Sequence, residues 1–255
     1  MRVHWAATSH PGIRRVSNED SYCTRPDLGL FVVADGMGGH VAGEVASRIV
    51  VQGIEAFIGE TVSADPQSTW PTPFDAALSL DENRLRSAFH VANQNLAREM
   101  ADQHALRGMA TTASALLLQE HSALLAHVGD SRIYLWRDGT IERQTIDHSW
   151  VEEQVRAGLL SVNEARVHPW RNVVTRALSG GEDPEVDLQT LTPQAGDRIL
   201  LCSDGLTSVV TDARIASILG EHTDLAAACD ALVAAANDAG GPDNVTTLVV
   251  HIDAT

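Results

Sequence analysis

The sequence predicts an α+β fold in which antiparallel sheets are covered by helices. Three observations carry this. Strands follow one another through tight turns, two long helical stretches are neighbours in the first half of the chain, and no repeated βαβ alternation appears. With 255 residues, 44% of them apolar, the chain can bury a substantial core, and one domain over residues 1–255 is expected.

The elements follow in order. Residues 30–34 form a short apolar run closed by Asp35-Gly36 and read as a buried strand. Over 41–58, Val41, Val45, Ile49, Ile54 and Ile58 recur close to helical spacing. Residues 59–80 hold three prolines and little periodicity, as a surface loop does. A second helix is expected over 81–102, with Leu85, Phe89, Ala92 and Leu96 on one stripe. Strands follow at 112–119, 123–128 and 133–137, and Asp138-Gly139 turns the chain into 140–144. Ser161-x-x-Glu164 is a capping box that opens a short helix. Strands at 186–191 and 198–203, an Ala-rich helix over 224–239 stopped by Gly240-Gly241, and a closing strand at 245–252 complete the chain.

Charge and cysteine content exclude whole classes of function. The net charge is −16, and no local basic patch offsets it, so a nucleic-acid partner is not expected. Three cysteines (Cys23, Cys202 and Cys229) lack metal-ligand spacing and imply no disulfide framework; Cys202 sits in an apolar run and reads as a buried, inert thiol. Met1 to Trp5 lacks the apolar stretch of a signal peptide, and no uninterrupted apolar run approaches the roughly 18 residues of a membrane span. A soluble, cytoplasmic protein with no membrane partner is therefore expected.

One layout recurs: an apolar strand that delivers an aspartate at its end. Residues 31–34 deliver Asp35, 200–203 deliver Asp204, 127–129 deliver Asp130, and Asp243 stands just before the last strand. Taken singly, an Asp-Gly is more often a turn. Several carboxylates gathered at core strand ends would shift their pKa or destabilise the fold without cations between them. The candidate ligands are all oxygens, which suits Mg²⁺ or Mn²⁺ and disfavours zinc. Glycine after Asp35 and Asp204 would let backbone approach an ion closely. In the stretch 14–20, if it is extended, Arg15 and Glu19 share a face and Arg14 points away. Arg15 could then grip a phosphate while Glu19 helps hold a cation; in isolation an ordinary surface salt bridge is the preferred reading.

At these residues the chain resembles the PP2C (PPM) family of metal-dependent protein serine/threonine phosphatases, in its stand-alone bacterial form. The matching motifs are R-x-x-N-E-D at 15–20, D-G-M-G-G-H at 35–40, G-D-S-R at 129–132 and D-H-S at 147–149. H-P-x-R-N-V-V-T-R at 168–176, S-D-G-L at 203–206 and G-P-D-N at 241–244 follow in the family's order. The resemblance implies a four-layer α-β-β-α sandwich, two antiparallel sheets flanked by helices. It implies a dinuclear centre in which Asp35 bridges both ions. Asp204 and Asp243 would complete one site, Glu19 and the Gly36 carbonyl the other. Asp20 would act through water, Asp130 would help hold a third, weaker ion, and Arg15 would bind the substrate phosphate. Phosphoserine and phosphothreonine in proteins would be hydrolysed by a hydroxide bridging the ions, with Arg15, Asp35 and Asp204 central to catalysis.

Some positions depart from the family pattern or invite a plainer reading. Met37 stands where animal relatives place a histidine proposed as general acid, and a structural role in the turn is expected of His40. Ser208 replaces an acidic residue found in many relatives, which weakens any third ion site. Trp170 belongs to a flap segment beside the site, either touching substrate or simply packing. The compact build and the hairpin at 136–139 resemble phosphatases encoded with type VI secretion systems, which oppose a serine/threonine kinase. Such a kinase and its phosphorylated targets are the expected partners, and a monomer is expected. A metal-binding pseudophosphatase and a two-metal phosphatase of small molecules are the competing readings.

Overall fold

The first strand, β1 (Val3–His10), pairs along its whole length with the last, β11 (Val245–Ile252), so the two ends of the chain close one sheet. The computed structural model describes residues 2–38, 42–62 and 70–253. In the first sheet β11 is followed by β10 (Arg198–Cys202), β7 (Arg132–Arg137) and β8 (Thr140–Arg143). The second sheet runs β2 (Asp20–Arg25), β3 (Leu30–Met37), β5 (Ala113–Leu118), β6 (Ala123–Val128) and β9 (Asp187–Leu191), with the short β4 (Ala110–Thr111) on the end of β3. All these pairs are antiparallel, as the hairpin-rich sequence predicts.

Three apolar layers hold four layers of structure together. In β3, Leu30, Val32 and Ala34 face the long helices α1 (Ala42–Thr61) and α2 (Leu80–Asp102), where Leu85, Phe89, Ala92 and Leu96 form the expected stripe. The alternate residues Phe31 and Val33 face the other sheet and meet Ile199, Leu201, Leu248 and Val250. Leu200 and Cys202 point outward onto α6 (Asp212–Glu221) and α7 (Leu225–Asp238). Strands buried on both faces lose the polar alternation of a surface sheet, which is why β3 and β10 read as continuous apolar runs. Cys202 is fully buried, and burial pushes its thiol up to about 12, so it is inert at neutral pH.

Local chemistry sets the ends of these elements. Ser79 and Glu82 cap α2 reciprocally, and Ser161 and Glu164 do the same for α4 (Val162–Val167). The β7–β8 hairpin turns on Asp138 and Gly139 with φ of 50° and 81°, the left-handed pair that a two-residue turn requires.

Several expectations are corrected. β3 continues through Asp35 and Gly36 to Met37, because β4 pairs with its end, so this Asp-Gly is strand and not turn. The expected 112–119 strand is split at Thr112, whose N–H bonds the Asp35 carbonyl. The sequence reading lacked β1, β2, α3 (Trp150–Arg156), the four-residue α5 (Asp204–Thr207) and α6. Among the described residues no helix is long and apolar enough to cross a membrane.

Candidate metal centre

Both sheets deliver carboxylates to one end of the sandwich. Asp20 and Asp35 are register partners on β2 and β3, and Asp130 follows β6. From the other sheet, Asp204 stands two residues beyond β10 and Asp243 just before β11. Glu19, Asp35, Gly36, Asp130, Asp204 and Asp243 line one cavity of about 300 Å³, together with Arg15. Asp20 lies behind it. Its Oδ2 accepts hydrogen bonds from Ser203 and Thr246, while its buried Oδ1 has no hydrogen-bond partner.

The glycines after Asp35 and Asp204 also allow close packing of backbone. A Cβ on Gly36 would lie 2.0 Å from the Gly43 carbonyl oxygen, and one on Gly205 would lie 1.9 Å from that of Asn244. Their absent side chains let the start of α1 and the start of β11 close on the aspartates. Glu19 is thereby set against the first turn of α1, where a Cβ on Gly43 would meet its carboxylate.

The stretch before Glu19 is not extended, so the alternation argument for Arg15 is corrected. Pro11-Gly12 opens a turn in which the N–H groups of Ile13 and Arg14 both bond the Gly241 carbonyl. The turn still delivers Arg15 to the cavity, where its Nη2 donates to Asp243 Oδ2 at 2.7 Å. This ion pair holds the guanidinium above its ordinary pKa. Asn244 pins the turn: its side-chain amide donates to the carbonyls of Pro11 and Ser17 and accepts from the Glu19 N–H at 2.8 Å.

Removal from water pushes Asp20 up to about 7 and Asp204 up to about 6, with neighbouring carboxylates adding to both. The same two causes hold Asp35 and Asp130 well above the carboxylate range. The nearby Asp204 carboxylate adds to the repulsion that raises Asp35. Among the described residues no three His, Cys, Asp or Glu side chains form a closed ligand cluster; the carboxylates stand around the cavity. The orphaned Asp20 oxygen, the raised pKa values and an all-oxygen donor set fit hard divalent cations.

Met37 lines the cavity and offers no proton, while His40 lies outside the described residues. Ser208 lines an adjoining cavity with Asp130 and Asp204. Trp170 is half-exposed and packs edge-on against Trp150 at 4.7 Å, which itself stacks on His168. Sequence reasoning missed Asn244, Ser203 and Thr246 as supports, because their partners lie about two hundred residues away.

Residues 14–237 match the family model described as Protein phosphatase 2C. The serine/threonine protein phosphatase PstP of Mycobacterium tuberculosis is 36% identical over 98% of this chain, which spans only 45% of that protein's length. Protein phosphatase PhpP of Streptococcus pneumoniae is 34% identical over 95% of this chain and 94% of its own. A crystal structure of the catalytic domain of PstP in complex with two manganese ions superposes with a TM-score of 0.84 at 34% identity, covering 99% of each chain.

Proposed function

The chain belongs to the protein phosphatase 2C family, and from that membership we propose that it is a metal-dependent protein serine/threonine phosphatase. The observation that carries this reading is the convergence of carboxylates from both sheets on one cavity that also holds Arg15. Asp35, Asp204 and Asp243 would hold one Mn²⁺ or Mg²⁺, and Asp35, Glu19 and the Gly36 carbonyl a second. Asp20 would act from behind through water, and Asp130 would serve a weaker third ion beside Ser208. Bound cations supply positive charge against the phosphoryl oxygens and activate water for attack on phosphorus.

The chain's own groups do the rest. Asp243 holds Nη2 of Arg15 and so aims the remaining N–H groups of the fork at the cavity, where they bind substrate phosphate. The carboxylates cannot all stay ionised without cations, which ties a competent site to metal loading. No protein nucleophile is required, and the leaving alkoxide takes its proton from water or a product-side group, since Met37 offers none. The adjoining open cavity gives room for polypeptide beside the phosphorylated residue, which favours protein over small-molecule substrates. A serine/threonine kinase is the opposing activity.

With Mn²⁺, phosphothreonine and phosphoserine peptides should be hydrolysed with kcat/KM well above that for sugar phosphates. The reverse order would make this a small-molecule phosphatase.

A further inference from the structure

A cavity of about 340 Å³ opens beside the carboxylate-lined one and shares Asp130, Asn172 and Asp204 with it. Its outer wall is the segment from α3 through α4 to Asn172, which contributes Val155, Val162, Arg166 and Arg171. The wall is anchored. Trp150 stacks on His168 at 4.8 Å and donates its backbone N–H to the Val173 carbonyl at 2.9 Å, so Arg171 lies between two fixed points.

Almost every charge in this cavity has a partner. Arg132 holds Asp147 through three bonds of 2.9, 3.1 and 2.6 Å, and Arg143 bridges Asp147 and Glu152. Asp212 accepts from the Tyr134 hydroxyl at 3.1 Å. Asp130 and Asp204 belong to the proposed metal centre. That leaves Arg166 and Arg171, both exposed and, among the described residues, without a side-chain hydrogen bond or ion pair. On a chain of net charge −16, two uncompensated arginines beside the reaction cavity stand out as sites for an anionic ligand.

We infer that this cavity is a substrate subsite in which Arg166 and Arg171 bind an anionic side chain near the phosphorylated residue. The anion is either a carboxylate or a second phosphate of the same polypeptide. This rests on the phosphatase reading above, because the shared residues place the flanking polypeptide there only when its phosphate lies at the metal centre. Val155 and Val162 line the same wall and suit the aliphatic stem of such a side chain.

The test uses phosphothreonine peptides whose flanking positions are all glutamate, all alanine, all lysine, or alanine with one second phosphothreonine. With Mn²⁺, kcat/KM for a peptide carrying the anion should exceed that for the alanine peptide by at least about fivefold, the value of one partly exposed charge pair. The anionic arm that shows the gain identifies the source. Arg166→Ala with Arg171→Ala should bring the ratio close to one. Arg166→Glu with Arg171→Glu should invert the order in favour of the lysine peptide. Equal kcat/KM for all peptides in the unmodified protein, with hydrolysis intact, would overturn the subsite alone. A preference that survives the double charge reversal would do the same. Hydrolysis of none of the peptides would overturn both the subsite and the phosphatase reading.

Discussion

Ser203 donates its hydroxyl to Oδ2 of Asp20 over 2.7 Å, although 183 residues separate them in the chain. Thr246 donates to the same oxygen at 2.6 Å, and its backbone N–H donates to the Ser203 hydroxyl at 2.9 Å. Asn18 donates to Ser9, which in turn meets the Thr246 hydroxyl at 2.7 Å. Two donors on one carboxylate oxygen lock the side chain and leave Oδ1 as its unpartnered side. The clamp joins β2 of one sheet to β10 and β11 of the other.

Ser203→Ala and Thr246→Val should each weaken Mn²⁺ binding about tenfold. A hydrogen bond to a charged group contributes roughly 1.5–3 kcal/mol, and 1.4 kcal/mol is a factor of ten. Calorimetric titration reads the affinity directly, with the melting temperature as a check on the fold. Unchanged affinity in a folded variant would remove the clamp from the metal site.

Metal-free protein should lose stability as pH rises. Asp20 and Asp204 titrate near 7 and 6 in the fold, against an ordinary value of 3.8, and Asp35 and Asp130 are displaced in the same direction. Between the ordinary and the folded values the native state binds more protons than the unfolded chain, so stability falls with pH across that window. The melting temperature should therefore drop between about pH 5 and about pH 8, and saturating Mn²⁺ should remove most of the slope, since cations favour the ionised form. A metal-free melting temperature that rises over this range would contradict the assigned protonation.

The sandwich was largely legible because its central strands are buried on both faces. Leu30 to Ala34 and Arg198 to Cys202 announce themselves as apolar runs, and the aspartates at their ends follow the same logic. β1 was not legible. Its residues are mostly partly exposed, and what makes it a strand is pairing with β11 at the far end of the chain. The turn at Arg14 and Arg15 depends on the Gly241 carbonyl and on Asn244, contacts that no local pattern encodes. No local pattern marks Arg166 and Arg171 as sharing a site; the chain from α3 through α4 brings them into the cavity that also holds Asp130 and Asp204.

Arg15→Ala should raise KM for phosphopeptides several-fold and alter kcat less, because the guanidinium grips phosphate in ground and transition states alike. Arg14→Ala is the control; Arg14 does not line the cavity, and its fixed contact is through backbone N–H. Steady-state kinetics separate the two. An Arg15→Ala enzyme with unchanged kcat/KM would take that side chain out of substrate binding.

Asp35 sits where the repulsion is concentrated, facing Asp20, Asp204, Asp130 and Asp243. Calorimetric titration of Mn²⁺ into chelator-treated protein and into Asp35→Asn, with phosphothreonine peptide hydrolysis measured on the same samples, is the most direct test of a carboxylate-held metal centre. The unmodified protein should bind two ions and hydrolyse peptide only in their presence. Asp35→Asn should lose tight binding and nearly all turnover. Its metal-free melting temperature near neutral pH should be equal or higher, since the amide replaces a carboxyl whose ionisation the fold opposes. Full hydrolysis in excess chelator, or an Asp35→Asn variant that binds Mn²⁺ and turns over like the unmodified protein, would contradict it.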